Sequence, residues 1–440
     1  MRQSRPGYIF FFSILLFSLF LVPSMSAEAT ENSIGYRWIP EELVTTMEVQ
    51  AAYSDEEIFI RFRWPTEEPS FYHDYLVYQD GEWVRRGASP VGPDPYGFYE
   101  DRLSVMVDDG SVKGFANFGG WLVSHEGMRF LDSEVSPEEV QAHPYLGEVL
   151  GASDVRHYLP HTRQGEWWEG DWDAVLSAEE LENLWEEGVF VDLWQWRAHR
   201  SNPVGYWDDG YVFDFRHGDS GTSTFYSQSW DPVEGPRYMF DPEKVGFAAL
   251  AFEKLVNREY GQDDKYYLHE EFIAPYDAEH MFEGAVIPRI ILREPEGSRG
   301  AIKGQGRWED GYWTVETRRV LDTGYPDDKA FEEGQTYTFA FAVHKRATGS
   351  RWHYTSYPYK LGIGVDADIT AVKIETEVPE WNNIPAEEIT LIYPGQVTWT
   401  FLVSEDHPFN WIVRDDGSSL WDCHPNPVSL SELAVRLEQR

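Results

Sequence analysis

The sequence predicts a mainly β fold, an antiparallel β-sandwich carrying helical and loop insertions. Two observations carry that expectation, period-two hydrophobic alternation and an Asp-Gly hairpin signal, and a third, the scarcity of helical periodicity, supports it. Residues 57–64 read EIFIRFRW, which puts Ile58, Ile60, Phe62 and Trp64 on one face and Arg61 and Arg63 on the other. That pattern is a half-buried strand. Residues 304–321 form two short strand runs about Glu309-Asp310-Gly311, and Asp-Gly between aromatic runs marks a tight hairpin. Alternation returns over residues 337–344, 369–375 and 390–402. Strands separated by turn residues belong to a sandwich rather than a parallel sheet.

Helical signals are few. Ser177-Ala178-Glu179-Glu180 is a capping box, in which Ser177 caps an amide and Glu180 reaches back. Leu181, Leu184 and Trp185 then form one apolar face. Residues 245–259 predict a second helix and residues 430–439 a third, shorter one. The region 132–188 reads as a loop-and-helix insertion within a sandwich spanning 30–370, and residues 371–440 as a C-terminal β and loop extension.

The N-terminus has the order of an export signal. Arg2 and Arg5 precede an apolar run over residues 8–22, then Pro23 and the small-residue stretch ending Ala27-Glu28-Ala29. The run is shorter than the roughly 20 residues that span a bilayer. The expectation is a signal peptide over residues 1–29, an exported, periplasmic mature chain, and no membrane insertion after cleavage; an uncleaved anchor is the alternative. The formal charge is -40, from 76 acidic and 36 basic residues. So acidic a surface repels nucleic acid and anionic membranes and excludes both as partners. It suits colloidal solubility in concentrated salt, as in a halophilic habitat. The one cysteine, Cys423, excludes an internal disulfide framework.

Motifs of hydrolytic or nucleotide chemistry are missing. There is no G-x-S-x-G elbow, Walker loop, dinucleotide fingerprint or H-E-x-x-H pattern. With 76 acids, neighbouring carboxylates carry no information. Haem ligation demands less, one or two axial side chains facing an apolar slot. The stretch 119–130, GGWLVSHEGMRF, offers His125 and Met128. A rival use of the aromatics is sugar stacking by Trp167, Trp168, Trp172, Trp194 and Trp196, against which stands plain core packing.

Three blocks together resemble a known family. VDLWQWRAHRSNPVGYWDDGYVFDF (191–215) is similar to a D-L-W-x-W-[KR]-A segment of haem-binding domains related to the ethylbenzene dehydrogenase gamma subunit. GRWEDGYWTVETRRVLDTG (306–324) resembles their w-x-d-G-x-W-x-v-e-x-x-R-x-L hairpin. FAFAVHKRATGSRWHYTSYPYKLGI (339–363) resembles their last signature block. The resemblance implies an immunoglobulin-like, DOMON-type β-sandwich that holds one b-type haem and transfers electrons. Its axial lysine falls on His353, where imidazole preserves the chemistry. The second ligand lies upstream of the W-x-W block. A cytochrome-like branch of the family, spelled G-C-w-x-x-C-H-x-x-M-R, resembles 119–130 more closely. Gly120 and Ser124 stand where its cysteines would be, so no thioether forms here. The resemblance ranks His125 first as second ligand, then Met128, then Met106.

Trp194, Trp196, Arg197, Trp352 and Ser356 are the implied haem-pocket residues. The tail Leu420-Trp421-Asp422-Cys423-His424 resembles a C-x-x-C-H segment with one cysteine missing, so covalent haem is not expected there and His424 and His407 become structural. The implied role is a non-catalytic cytochrome-like subunit or carrier beside a cytochrome or molybdopterin oxidoreductase. The alternatives are a carbohydrate-binding sandwich and a structural subunit that has lost haem.

Overall fold

The computed structural model describes residues 44–392 except 88–91, 94–97, 130, 132, 166–170, 228, 346 and 349–352. The expected signal peptide, the C-terminal helix, Trp167, Trp168, Trp352, His407, Cys423 and His424 lie outside the described residues.

The alternating segments build one thirteen-stranded sheet that folds over into two layers. The Lys303–Glu309 and Tyr312–Val320 hairpin forms one edge, followed by Glu57–Pro65 and Val44–Tyr53. There the sheet forks. Val44–Tyr53 pairs with Glu387–Ile392 along its first half and with Ile369–Lys373 at its end. The two branches pass through Tyr354–Ser356 and Tyr359–Ile363 and rejoin on Thr336–His344. Arg102–Asp108, Val191–Arg197, Gly210–Val212 and Arg216–Gly218 complete the second layer. The mainly β, sandwich-like expectation holds.

Aromatic side chains fill the space between the layers. Trp64 meets Trp196 edge-on at 5.9 Å, Trp196 meets Trp313 at 4.9 Å, and Phe62 meets Phe341 at 6.0 Å. Each ring buries a large apolar area, and edge-to-face contact adds a further favourable quadrupole term. Asn202 ties this core to the edge hairpin. Its Oδ1 accepts from the indole of Trp196 at 3.0 Å and from the Gly306 N–H at 2.6 Å, and its Nδ2 donates to the Gly306 carbonyl.

Local signals are mostly obeyed. Asp310 and Gly311 take φ of 50° and 85°, the left-handed pair that a tight hairpin with right-handed strand twist requires. Ser177 and Glu180 form the reciprocal capping box that opens helix Ala178–Glu186. The helix expected over 245–259 does not form. Pro242–Val245 stops at Gly246, whose φ of 87° terminates it, and Leu250–Ala251 is drawn into a strand against Ala285–Pro288 before Phe252–Val256 resumes as helix. Sheet pairing outweighs local helical periodicity there. Residues 109–190 leave the sheet and return to the adjacent strand, packing a small satellite core of Leu131, Val140, Leu146, Val155 and Tyr158.

Two glycines of the hairpin separate conformational from steric cost. A Cβ on Gly311 meets nothing within 4 Å, whereas one on Gly306 comes within 2.5 Å of the Trp196 ring. Gly311→Ala is expected to cost about 1 kcal/mol in urea unfolding, from the positive φ alone. Gly306→Ala is expected to cost more, about 1–3 kcal/mol, because the layers must part. Equal costs would mean the Trp196 contact is slack.

Candidate functional site

Period-two geometry sends alternate side chains of each strand to opposite faces. In the second layer Leu103, Val105 and Val107 face the core with Trp194, Trp196, Phe339 and Val343, all buried. Their neighbours face outward in three cross-strand rows. His344 lies opposite Arg102 and Arg102 opposite Arg197; Ala342 lies opposite Ser104 and Ser104 opposite Gln195; Ala340 lies opposite Met106 and Met106 opposite Leu193. The rows run from cationic, through small, to apolar.

A cavity of about 440 Å³ opens over these rows. That is within the ~300–1,000 Å³ of cofactor pockets. The small side chains Ala340, Ala342 and Ser104 hollow its floor, and Gly120 and Ser124 close it from the turn over residues 119–124. A Cβ built on Gly120 would lie 3.8 Å from the Met106 sulfur and 3.9 Å from the Thr355 hydroxyl. The two positions aligned with thioether cysteines therefore both open on this cavity.

Its charge is opposite to that of the whole chain. Seven arginines line it against one carboxylate, Asp208. Arg197 and Arg299 both pair with Asp208. Burial alone would raise Asp208, but these two guanidiniums hold it well below the usual carboxylate range. Arg102 and Arg200 lean on Glu100, which is fully buried and also accepts the His199 and Arg200 N–H groups at 2.8 and 2.9 Å. Burial opposes ionisation of Glu100, yet Arg200 and Arg102 hold it down at about 2. Arg216 donates to Gln195, and no described carboxylate forms an ion pair with it. Burial, then Arg197 and Arg156, pull its guanidinium down to about 9. The arginine end thus holds more positive charge than its own carboxylates offset.

The structure brings some expected site residues together and separates others. His353 is buried and lines the cavity, its ring stacked on His344 at 4.4 Å. Met106, Met128 and Arg197 line it too. His125 does not line it. Its ring stacks on Tyr158 at 4.1 Å and its Nε2 bonds the Tyr158 carbonyl at 3.1 Å. Burial pushes it down to about 3, so it is neutral. Met128 is committed in part, its sulfur accepting the His125 N–H at 3.1 Å. Trp194 and Trp196 belong to the inter-layer core, so neither offers a ring face to a sugar. Trp172 is half-buried beside His143. Ser356 pins its strand by accepting the Phe341 N–H at 2.9 Å.

Arg102, Arg200, Arg216, Arg299, His157 and His344 were not singled out by sequence reading. His157 lines the cavity with its Nδ1 at 3.1 Å from the Val123 carbonyl, the kind of outer contact that orients a ligating imidazole. One signal was available. Arg102, Ser104 and Met106 share a phase opposite to Leu103, Val105 and Val107, which removes Met106 from the core.

A family model described as ethylbenzene dehydrogenase matches residues 28–356, or 329 of the 440 residues. The chain belongs to the ethylbenzene dehydrogenase family. It is also similar to cytochrome c-552 of Stutzerimonas stutzeri, 34% identical over 92 residues, which cover 21% of this chain and 30% of that protein. The family match takes in the turn over 119–124, the three outward rows and His353, so the cavity lies wholly within it. No helix among the described residues is long and apolar enough to cross a membrane.

Glu100 generates a pH prediction. Its folded value lies below its ordinary 4.5, so it contributes stability that is complete above pH 4.5 and lost as pH falls toward 2. The loss should reach about 3 kcal/mol. Glu100→Gln is expected to remove that acid-dependent step and lower stability at pH 7, because two half-buried guanidiniums lose their shared carboxylate. Parallel stability-versus-pH curves for the two proteins would exclude this role.

Proposed function

We propose that the chain is a periplasmic electron-transfer subunit or carrier that holds one b-type haem non-covalently in the cavity. The observation that carries this reading is the meeting of Met106 and His353 in a single cavity that is apolar at one end and arginine-lined at the other. A haem is amphiphilic in the same sense, an apolar ring with two carboxylates at one edge. Family membership and the similarity to a cytochrome support the same reading.

The residues fit the group. The thioether of Met106 and the imidazole of His353 are both iron donors. Ala340, Leu193 and the hollowed middle row would take the ring face, and the arginine end would bind the propionates by charge-assisted hydrogen bonds. With Gly120 and Ser124 in place of cysteines, retention rests on these contacts alone. When bound, haem supplies a reversible one-electron couple. The chain's own part is to orient it, exclude water and set its potential through ligand identity and burial. It carries out no substrate chemistry itself, and its partner is a larger oxidoreductase or a second cytochrome. A methionine ligand in place of a second histidine favours a higher potential.

The test is spectroscopic, on whole protein from haem-replete cells. Wild type is expected to show a Soret band and sharp bands on reduction. His353→Ala and Met106→Leu should each shift or abolish them, while His125→Ala keeps the spectrum and lowers only the melting temperature. Ala342→Leu, which fills the middle row, should lose colour and still melt cooperatively. Arg216→Gln should weaken haem retention about tenfold, one charge-assisted contact. An unchanged spectrum in both His353→Ala and Met106→Leu would overturn the ligand assignment.

A further inference from the structure

Behind the cavity wall the chain buries a second concentration of charge, of opposite sign. Leu193, Asp208 and Gly218 line the cavity. By alternation their neighbours Asp192, Asp209 and Asp219 point the other way. Asp327 and Asp328, from the loop between the Tyr312–Val320 and Thr336–His344 strands, meet them there. None of the five is more than 9% exposed, and Asp192, Asp209 and Asp219 are at 0, 2 and 4%. Oxygens of Asp192, Asp209 and Asp328 lie within 4.8 Å of one another, as do those of Asp219, Asp327 and Asp328.

Protein donors satisfy only part of this group. Asp327 accepts from the Ser298 hydroxyl at 2.7 Å and the Ser220 N–H at 2.9 Å. Asp192 accepts from Arg319 at 3.0 Å and from the Lys329 N–H at 3.1 Å. Asp209 Oδ2 and both carboxylate oxygens of Asp219 have no hydrogen-bond donor among the described residues. Buried carboxylates in that state must take up either protons or a cation. Burial, with the neighbouring aspartates, pushes Asp219 up to about 10 and Asp328 up to about 7.

We propose that this aspartate pocket is a calcium site. Its ligands are all oxygen and come from four separate segments, which matches the high coordination number and tolerant geometry of Ca²⁺. No imidazole or thiolate joins the two groups, which disfavours zinc. Mg²⁺ demands near-octahedral geometry and keeps its waters. A bound calcium ties the Gly210–Val212 and Arg216–Gly218 hairpin to the loop carrying Asp327 and Asp328. It thereby fixes the wall that presents Arg216 and Asp208 to the cavity. The site does not depend on what the cavity holds.

The test uses the whole chain, stripped of metal by chelation and gel filtration. Calcium chloride is expected to raise its melting temperature by roughly 5 °C. Magnesium chloride at equal ionic strength should do clearly less. Atomic emission should find calcium retained after a second gel filtration, and Asp219→Asn should lose both effects. Terbium luminescence sensitised by the buried tryptophans, quenched by added calcium, reads the wild-type site directly should Asp219→Asn fail to fold. Identical melting with and without calcium, no retained metal and no terbium signal would overturn the proposal.

Discussion

Side-chain alternation along Arg102–Asp108, Val191–Arg197 and Thr336–His344 is the constraint on which the rest depends. One face of these three strands carries the apolar groups that hold the layers together. The other carries Arg102, Ser104, Met106, Gln195, Arg197 and His344. Because the period is two, a register slip of one residue would exchange the faces. It would bury guanidiniums between Trp64 and Trp196 and expose the core. The packing energy of the inter-layer aromatics therefore enforces the placement of the outward rows. Stability and site geometry are set by the same hydrogen-bond register.

Electrostatics then distinguishes this face from the remaining surface. A chain of net charge -40 gathers seven arginines about one cavity. Bringing that many guanidiniums together is unfavourable unless counter-charge is supplied, and among the described residues three carboxylates pair with them: Asp208, Glu100 and Asp154, the last held by Arg129 and Arg156. The excess selects an anionic ligand, and the apolar end of the rows selects one with a large non-polar body. The surrounding acidic surface adds a long-range field that repels other anions at low salt and fades at high salt. Directly behind the same wall, the buried aspartates create the reverse imbalance. The Gly210–Val212 and Arg216–Gly218 hairpin lies between the two, so its position is sensitive to both.

Much of the fold was legible in the sequence, for reasons that are local. Ile58 to Trp64, the Asp310-Gly311 turn and the Ser177 capping box each depend on neighbours within a few residues. The helix over 245–259 failed because its middle is claimed by a strand from Ala285–Pro288, a long-range contact that periodicity cannot report. The site divides in the same way. His353 was reached through resemblance and lies in the cavity. His125 was ranked above Met106 because the G-C-w-x-x-C-H-x-x-M-R resemblance carries its histidine, yet its ring turns to Tyr158. Met106 stands last in that order, although its phase with Arg102 and Ser104 already places it outside the core. The arginine end was not legible, since Arg102, Arg200, Arg216 and Arg299 come together only through sheet pairing and loops. Trp194 and Trp196 read as core packing first and as a stacking platform second, and the inter-layer packing agrees with the core.

The central claim is that this cavity is built for haem and holds it without a covalent bond. Haem content measures it most directly. Whole protein from haem-replete cells should yield close to one equivalent of haem per chain that extracts fully into acidified organic solvent, as b-type haem does. Protein that is folded and free of haem under those conditions, or haem that stays with the polypeptide after extraction, would contradict the account.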